Sequence, residues 1–272
     1  SFWRIAPVHS HARRFNGVSQ PLYTTLIIDI KSTLFFLSML VITPAYAVMC
    51  IVVFPLISAE KRYELTKGWN ITMTFLAKKI CGIEYEILGM DNIKAMLDKP
   101  VILLSKHQSA WETIAFIALI PKQLCFVFKR ELLWIPFFGW ALALLRMIHI
   151  NRSNKAAASQ SIAGQGKKYL GQGLWIIIFP EGTRTKVGAH TLYRKGGARL
   201  ASATKAWVIP IAHNAGHVWP RNSFLKYPGK VTISIGPAIS SENKTAEQLH
   251  QETEKWIEAE MRVIDAPAYA PK

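Results

Sequence analysis

His107 and Glu112, five residues apart, are the pair in this chain best suited to moving a proton. They stand in the stretch Ser105-Lys106-His107-Gln108-Ser109-Ala110-Trp111-Glu112. A carboxylate can accept a hydrogen bond from one imidazole nitrogen, leaving the other free to take a proton from an incoming hydroxyl. No protein nucleophile is needed: an alcohol that loses its proton while attacking an activated acyl group is enough. The same residues also have a purely structural reading. Ser109 and Glu112 have capping-box spacing, so Glu112 can act as the reciprocal cap of a helix and His107 as an ordinary loop histidine.

Such a pair has to be held by regular elements on either side. The apolar run Val101 to Leu104 reads as a buried strand, and the apolar Ile114 to Ile117 as the helix that follows the cap. His107 therefore falls in the turn between a strand end and a helix start, where α/β folds expose reactive side chains. Other strands end in groups suited to an anion. Met147 to Ile150 delivers Asn151-Arg152, and Leu174 to Phe179 delivers Pro180-Glu181-Gly182-Thr183-Arg184. Lys195-Gly196-Gly197 opens a helix over Ala198 to Thr204, whose first amides favour an anion. Gly182 allows a tight turn, and the planar fork of arginine suits phosphate. If the sheet is doubly wound, these loops meet on the edge that carries His107.

Further strands are predicted at Ile83 to Leu88, Leu124 to Phe128, Trp207 to Ala212 and Val231 to Ile235. Helices are predicted at Lys61 to Cys81, Lys155 to Leu170 and Thr245 to Ile264, the last opened by a capping box of Thr245 and Gln248. This alternation predicts an α/β fold with a mostly parallel central sheet and helices on both faces. Leu132 to Leu145 is apolar on every side yet too short to span a bilayer. It is either a buried helix or a greasy wall that receives an acyl chain or dips into a membrane, broken in both cases by Pro136 and Gly139.

Composition narrows the class. The 272 residues carry a net charge of +16, yet half of them are hydrophobic and nine are Trp. A basic protein this rich in apolar side chains fits contact with anionic membrane lipids better than with nucleic acid, and no nucleic-acid partner is expected. Cys50, Cys81 and Cys125 lie far apart in apolar surroundings and read as reduced core thiols; no metal site is expected.

The N-terminal region divides at about residue 60. Residues 1–20 form a basic arm containing Arg4, Arg13 and Arg14. No charge occurs from Ser32 to Ala59, a run long enough to cross a bilayer as one helix. Pro44 leaves two geometries open: a tilted, kinked spanning helix, or a helical hairpin bent at Pro44 and lying in one leaflet. Ala45-Tyr46-Ala47 resembles a signal-cleavage site, but the leader is too long and the apolar run continues past it. Residues 1–60 are therefore expected to be arm and membrane anchor, and 61–272 the catalytic domain.

The motifs also resemble a known family. Lys106-His107-Gln108-Ser109-Ala110-Trp111-Glu112 is similar to the first signature block of the glycerolipid acyltransferases, a His followed by an acid. Phe179-Pro180-Glu181-Gly182-Thr183-Arg184 matches that family's most specific block in full. Ile148-His149-Ile150-Asn151-Arg152 and Val208-Ile209-Pro210-Ile211 resemble two more, and the resemblance spans about Leu65 to Ile235. It implies that His107 is the general base on a glycerol hydroxyl, with Glu112 as its partner. It implies that Arg152, Arg184 and Lys195 hold a substrate phosphate while Glu181, Gly182 and Thr183 shape the loop. Lys129-Arg130-Glu131-Leu132 resembles a segment lining the same groove. The implied substrates are lysophosphatidic acid and an acyl thioester of coenzyme A or acyl carrier protein; no cofactor is implied. The implied place is the cytoplasmic side of a membrane. Two positions depart from the family pattern. Glu112 stands where Asp is usual, and Lys106 stands where Asn is usual, placing a charge beside the site.

Three rivals remain on sequence grounds. One is a sibling acyltransferase acting on another head group. A second is a serine hydrolase using Ser109, although no Gly-x-Ser-x-Gly elbow is present. The third is a non-enzymatic basic protein, which the charge permits but which leaves the polar turn after a buried strand without a role.

Overall fold

The strand Val101–Ser105 is buried at every position, and its side chains alternate between two cores. Val101 and Leu103 point to one face of the sheet, Ile102 and Leu104 to the other. This is the two-residue period of a strand covered on both sides. The structure is a computed structural model and describes residues 14, 15, 18, 19, 22–136, 138–151 and 153–269. Most of the basic arm, and Arg152, lie outside the described residues.

Two short strands come first, β1 (Arg14–Phe15) and β2 (Val18–Ser19), then the helices α1 (Leu22–Val53) and α2 (Ala59–Cys81). There follow β3 (Ile83–Leu88), α3 (Met90–Lys94), β4 (Val101–Ser105), α4 (Trp111–Leu119), β5 (Leu124–Lys129), α5 (Phe138–Ala143) and β6 (Ile148–Ile150). The chain continues through α6 (Lys155–Gly171), β7 (Trp175–Ile178), α7 (Gly196–Thr204), β8 (Trp207–His213), β9 (Gly229–Ile235), α8 (Ala246–Ile264) and α9 (Ala266–Tyr269).

The seven-stranded sheet has the order β3-β9-β8-β4-β7-β5-β6. All neighbours are parallel except β8 and β9. Parallel neighbours need crossover connections, and the intervening helices provide them. One face is covered by α1, α2 and α4 through Phe35, Ala77, Trp111 and Phe116. The other is covered by α6, α7 and α8 through Leu170, Leu200 and Leu249. The mostly parallel α/β sheet with helices on both faces is thus the architecture formed. The capping box of α8 is complete: Gln248 N–H donates to Thr245 Oγ1 at 3.2 Å, and Thr245 N–H to Gln248 Oε1 at 2.8 Å.

The N-terminal region departs from one of its two expected geometries. The helix α1 runs without a break through Pro44. The chain reverses instead at Phe54–Ser58, around Pro55, where a 3-10 turn over Phe54–Leu56 ends the helix. Ser58 caps α2 by accepting the Lys61 N–H at 3.4 Å. The two helices then run antiparallel. Tyr46 Oη donates to the Leu65 carbonyl at 2.6 Å and Trp69 Nε1 to Thr43 Oγ1 at 3.2 Å. These contacts sit on both sides of Pro44 and tie α1 there to α2.

Tyr23–Leu56 is long and apolar enough to cross a membrane, spanning roughly 50 Å at 1.5 Å per residue. One stripe of it, with Ile28, Ser32, Phe35, Ala47 and Cys50, is buried against the domain, whereas Leu37, Leu40, Val41, Val48 and Val52 stay exposed. Phe35 meets Trp219 edge-on with centroids 5.4 Å apart, and Ser32 Oγ accepts the Lys226 N–H at 2.9 Å. The expected anchor therefore shares its core with the domain it precedes.

Candidate active site

The strands β8, β4, β7, β5 and β6 are parallel, so their C-terminal ends share one edge, where open α/β sheets bind ligands. His213 ends β8, His107 follows β4, the Glu181–Arg184 turn follows β7, and Lys129 ends β5.

His107 is held from four directions. Its Nδ1 lies 2.8 Å from Glu112 Oε1. A carboxylate can only accept, so Nδ1 carries the proton and Nε2 is the acceptor. The ring of Phe179 stacks on the imidazole, centroids 4.0 Å apart and planes 15° apart. The His107 N–H donates to Glu181 Oε1 at 3.3 Å, and its carbonyl accepts the Thr185 N–H at 2.8 Å. The loop after β7 is thereby fastened to the backbone of the histidine itself.

Glu112 combines both readings of its sequence position. Besides His107 it accepts the backbone N–H groups of Gln108 at 3.0 Å and Ser109 at 2.9 Å. The capping box is half formed, because Ser109 Oγ accepts from Trp111 N–H at 3.0 Å rather than from Glu112. Burial opposes ionisation of Glu112, but the adjacent His213, the His107 hydrogen bond and the Ser109 amide outweigh it and hold the carboxyl below its ordinary range. Ser109 is fully buried with its hydroxyl engaged, which fits a capping role and not a nucleophile.

A cavity of about 590 Å³ opens beside His107. Lys129, Thr183 and Arg184 line it together with His107. Arg184 Nε is buried with no hydrogen-bond partner among the described residues, an arrangement that buried polar groups rarely adopt. The rest of the wall is largely apolar. Ile114, Ile117 and Phe126 form it on the domain side, Leu132, Leu142 and Leu145 in the greasy segment, and Ala47 and Cys50 on α1. The segment Leu132 to Leu145 is bent, as Pro136 and Gly139 predict, into a 3-10 turn over Arg130–Trp134 and α5. It combines wall and surface: Trp134 and Trp140 are exposed on its outside.

Not every expected residue reaches this cavity. Lys195 begins α7 on the opposite face of the sheet and pairs with Glu247 at 2.6 Å, away from the cavity lining. Glu181 is buried behind the loop and pairs with Lys106 at 3.2 Å. Burial pushes its carboxyl up against the pull of Lys106. Gly182 has φ +71°, and a Cβ there would come within 2.7 Å of Arg194 Nε, so the turn depends on glycine. Arg152 falls outside the described residues. The charge of Lys106 is not beside the site, because successive side chains alternate: His107 faces the cavity, Lys106 the far side toward α8.

Four residues escaped the sequence reading. Thr185 ties the loop, and Arg221 and Asn222 line the cavity. His213 lies completely buried beneath the pair. Its Nδ1 accepts the Ala215 N–H at 3.3 Å, so its Nε2–H donates to the Lys106 carbonyl at 2.7 Å. Burial lowers its proton affinity, against the pull of the neighbouring Glu112 carboxylate. The signal for His213 was its place one residue past the end of a predicted strand.

A sequence model of the Acyltransferase family matches residues 84–214. A 1-acyl-sn-glycerol-3-phosphate acyltransferase of Pseudomonas aeruginosa is 39% identical over 239 residues, covering 86% of this chain and 91% of that protein. The enzyme of the same name from Cocos nucifera is 28% identical, covering 85% of this chain and 73% of its own length. The crystal structure of the 1-acyl-sn-glycerophosphate (LPA) acyltransferase PlsC from Thermotoga maritima superposes with a TM-score of 0.74 at 21% identity. It covers 89% of this chain and 98% of its own, and shares the fold. With a histidine–carboxylate pair at the strand edge and this degree of identity along most of its length, the chain belongs to the 1-acyl-sn-glycerol-3-phosphate acyltransferase family.

Proposed function

We propose that this acyltransferase moves an acyl chain from an acyl thioester to the free hydroxyl of 1-acyl-glycerol-3-phosphate, giving phosphatidic acid. The observation that carries the reading is His107, backed at 2.8 Å by the buried Glu112, lining one cavity with Lys129, Arg184 and an apolar wall. His107 Nε2 takes the hydroxyl proton as the oxygen attacks the thioester carbonyl. The carbon–sulfur bond then breaks and the proton passes from His107 to the leaving thiolate. Glu112 keeps the reactive tautomer and stabilises the imidazolium that forms. Lys129 and Arg184 hold the phosphate, with Thr183 beside them; Arg152, after the neighbouring strand, is proposed for the same clamp. Glu181 and Gly182 shape the loop from behind.

The donor is a thioester on coenzyme A or acyl carrier protein, and the apolar part of the cavity receives hydrocarbon. The exposed stripe of α1, with Trp134 and Trp140 near the cavity, supports docking on anionic lipid with the catalytic face toward the cytoplasm, where such thioesters are found. An acyl-transfer assay in detergent tests the reading. It uses lysophosphatidic acid, the same acceptor without its phosphate, both donor carriers, and His107→Ala. Phosphate-dependent and His107-dependent formation of phosphatidic acid is expected. Equal transfer to the acceptor lacking phosphate would remove the clamp from the proposal.

A further inference from the structure

A buried charge lies one residue before the base. Lys106 is fully buried. Its Nζ is 2.9 Å from Glu258 Oε1 on α8 and 3.2 Å from Glu181 Oε1 on the loop after β7. The rings of Tyr193 and Tyr269 lie 5.5 and 5.7 Å from it, and the Ala189 carbonyl is at 3.5 Å. Tyr193 Oη donates to the same Glu258 oxygen at 2.7 Å. Burial weakens the hold of Lys106 on its proton, but Glu181, Tyr269 and Glu258 outweigh that, and it stays a cation.

Taking three charged groups out of water is costly, and an apolar cluster of the same volume would serve stability as well. What an apolar cluster could not do is orient Glu181. The Glu181 oxygen that faces the ammonium is also the acceptor of the His107 backbone N–H, at 3.3 Å. Glu181 begins the turn that three residues later presents Arg184. One cation thus sits where the segment carrying the base, the loop carrying the phosphate-facing arginine and the C-terminal helix meet.

We propose that Lys106 is a positioning residue for acyl transfer: its buried ammonium, anchored by Glu258, pins Glu181 and so fixes the spacing between the His107 base and the Arg184 clamp. The inference rests on the reading of His107 and Arg184 given above. It makes α8, far along the chain from the motifs, part of the machinery that sets their geometry.

The test compares Lys106→Met, Lys106→Arg and the double variant Lys106→Met/Glu258→Gln. The readouts are Tm, and kcat and KM for lysophosphatidic acid and for its counterpart without phosphate. Lys106→Met leaves two buried carboxylates without their cation, so Tm and kcat/KM should both fall. The double variant removes one of those charges and should recover much of the Tm. Its kcat/KM for lysophosphatidic acid should remain down by about tenfold or more, because small misplacements of reacting groups have effects of that size. Its preference for the phosphate-bearing acceptor should fall with it. Lys106→Arg keeps the cation and should keep that preference even if kcat drops. If activity and preference return together with Tm in the double variant, the cluster is structural only and the proposal is wrong. Loss of the preference in Lys106→Arg to the same degree as in Lys106→Met also overturns it. If Lys106→Met does not fold, the double variant and Lys106→Arg decide between these results. A wild-type enzyme with no preference for phosphate would instead remove the clamp, and the tie with it.

Discussion

Glu112 offers one carboxylate oxygen to His107 Nδ1 at 2.8 Å and the same oxygen to two backbone N–H groups at the start of α4. Helix capping and histidine orientation are therefore one function of one atom. Glu112→Gln can still accept the amide hydrogen bonds but loses the charge. Its kcat should fall by roughly 10²–10⁴, the range for losing the orienting charge of a catalytic histidine, with little change in KM. Glu112→Asp should retain more activity. A Gln variant with unchanged kcat would leave Glu112 as a cap alone.

Arg184 lines the cavity, and its buried Nε has no hydrogen-bond partner among the described residues. Removing a charge-assisted hydrogen bond to a substrate costs about 1.5–3 kcal/mol, or roughly ten- to a hundredfold. Arg184→Ala should therefore raise KM for the phosphate-bearing acceptor by about that factor and leave KM for the acyl donor nearly unchanged. Lys129→Ala should act in the same direction. Titrating both substrates separately distinguishes a clamp on the acceptor from a general loss of activity.

His213 gives the fold a pH dependence. Burial lowers its pKa below the unfolded value of about 6.5. Below that pH the unfolded chain binds a proton that the folded chain refuses, so stability falls as pH drops from about 6.5 toward the depressed folded value. Above about 6.5 this contribution is complete. Melting temperatures between pH 8 and pH 5 should decline in the wild type and decline less in His213→Gln. Parallel slopes would show that His213 does not titrate in this way.

Phe35 belongs to the apolar N-terminal helix but is completely buried against Trp219. Phe35→Ala should destabilise the whole protein by about 3–5 kcal/mol, the cost of emptying a buried aromatic site. Val41→Glu on the exposed stripe of the same helix should leave Tm nearly unchanged in detergent but weaken retention on anionic vesicles. A melt and a vesicle-flotation assay on both variants separate the two roles.

Much of this was legible in the chain. Short apolar runs such as Val101–Leu104 and Leu174–Phe179, each ending in polar turn residues, have few folded options other than buried strands. His107 and the Glu181–Arg184 turn therefore landed where expected. The side on which a loop residue points was not legible. Lys106 and His107 are neighbours, yet one meets α8 and the other the cavity. Lys195 has an anion-binding sequence context but opens a helix on the wrong face of the sheet. Of the two geometries open at Pro44, the hairpin bend does not form, and sequence alone does not show Thr43 and Tyr46 gripping α2 on either side of it. His213 was missed by a single position, because the predicted strand stopped at Ala212 while the formed one runs to His213.

The two-sided character of α1 decides how a water-soluble form of this enzyme could be made. Deleting the helix would strip Phe35 from the core and Ala47 and Cys50 from the cavity wall, leaving an open trough in a weakened domain. Repainting its outer surface keeps both. Charged residues in place of Leu37, Leu40, Val41, Val48 and Val52 would turn the helix into an ordinary amphipathic surface element while the inward stripe kept its packing.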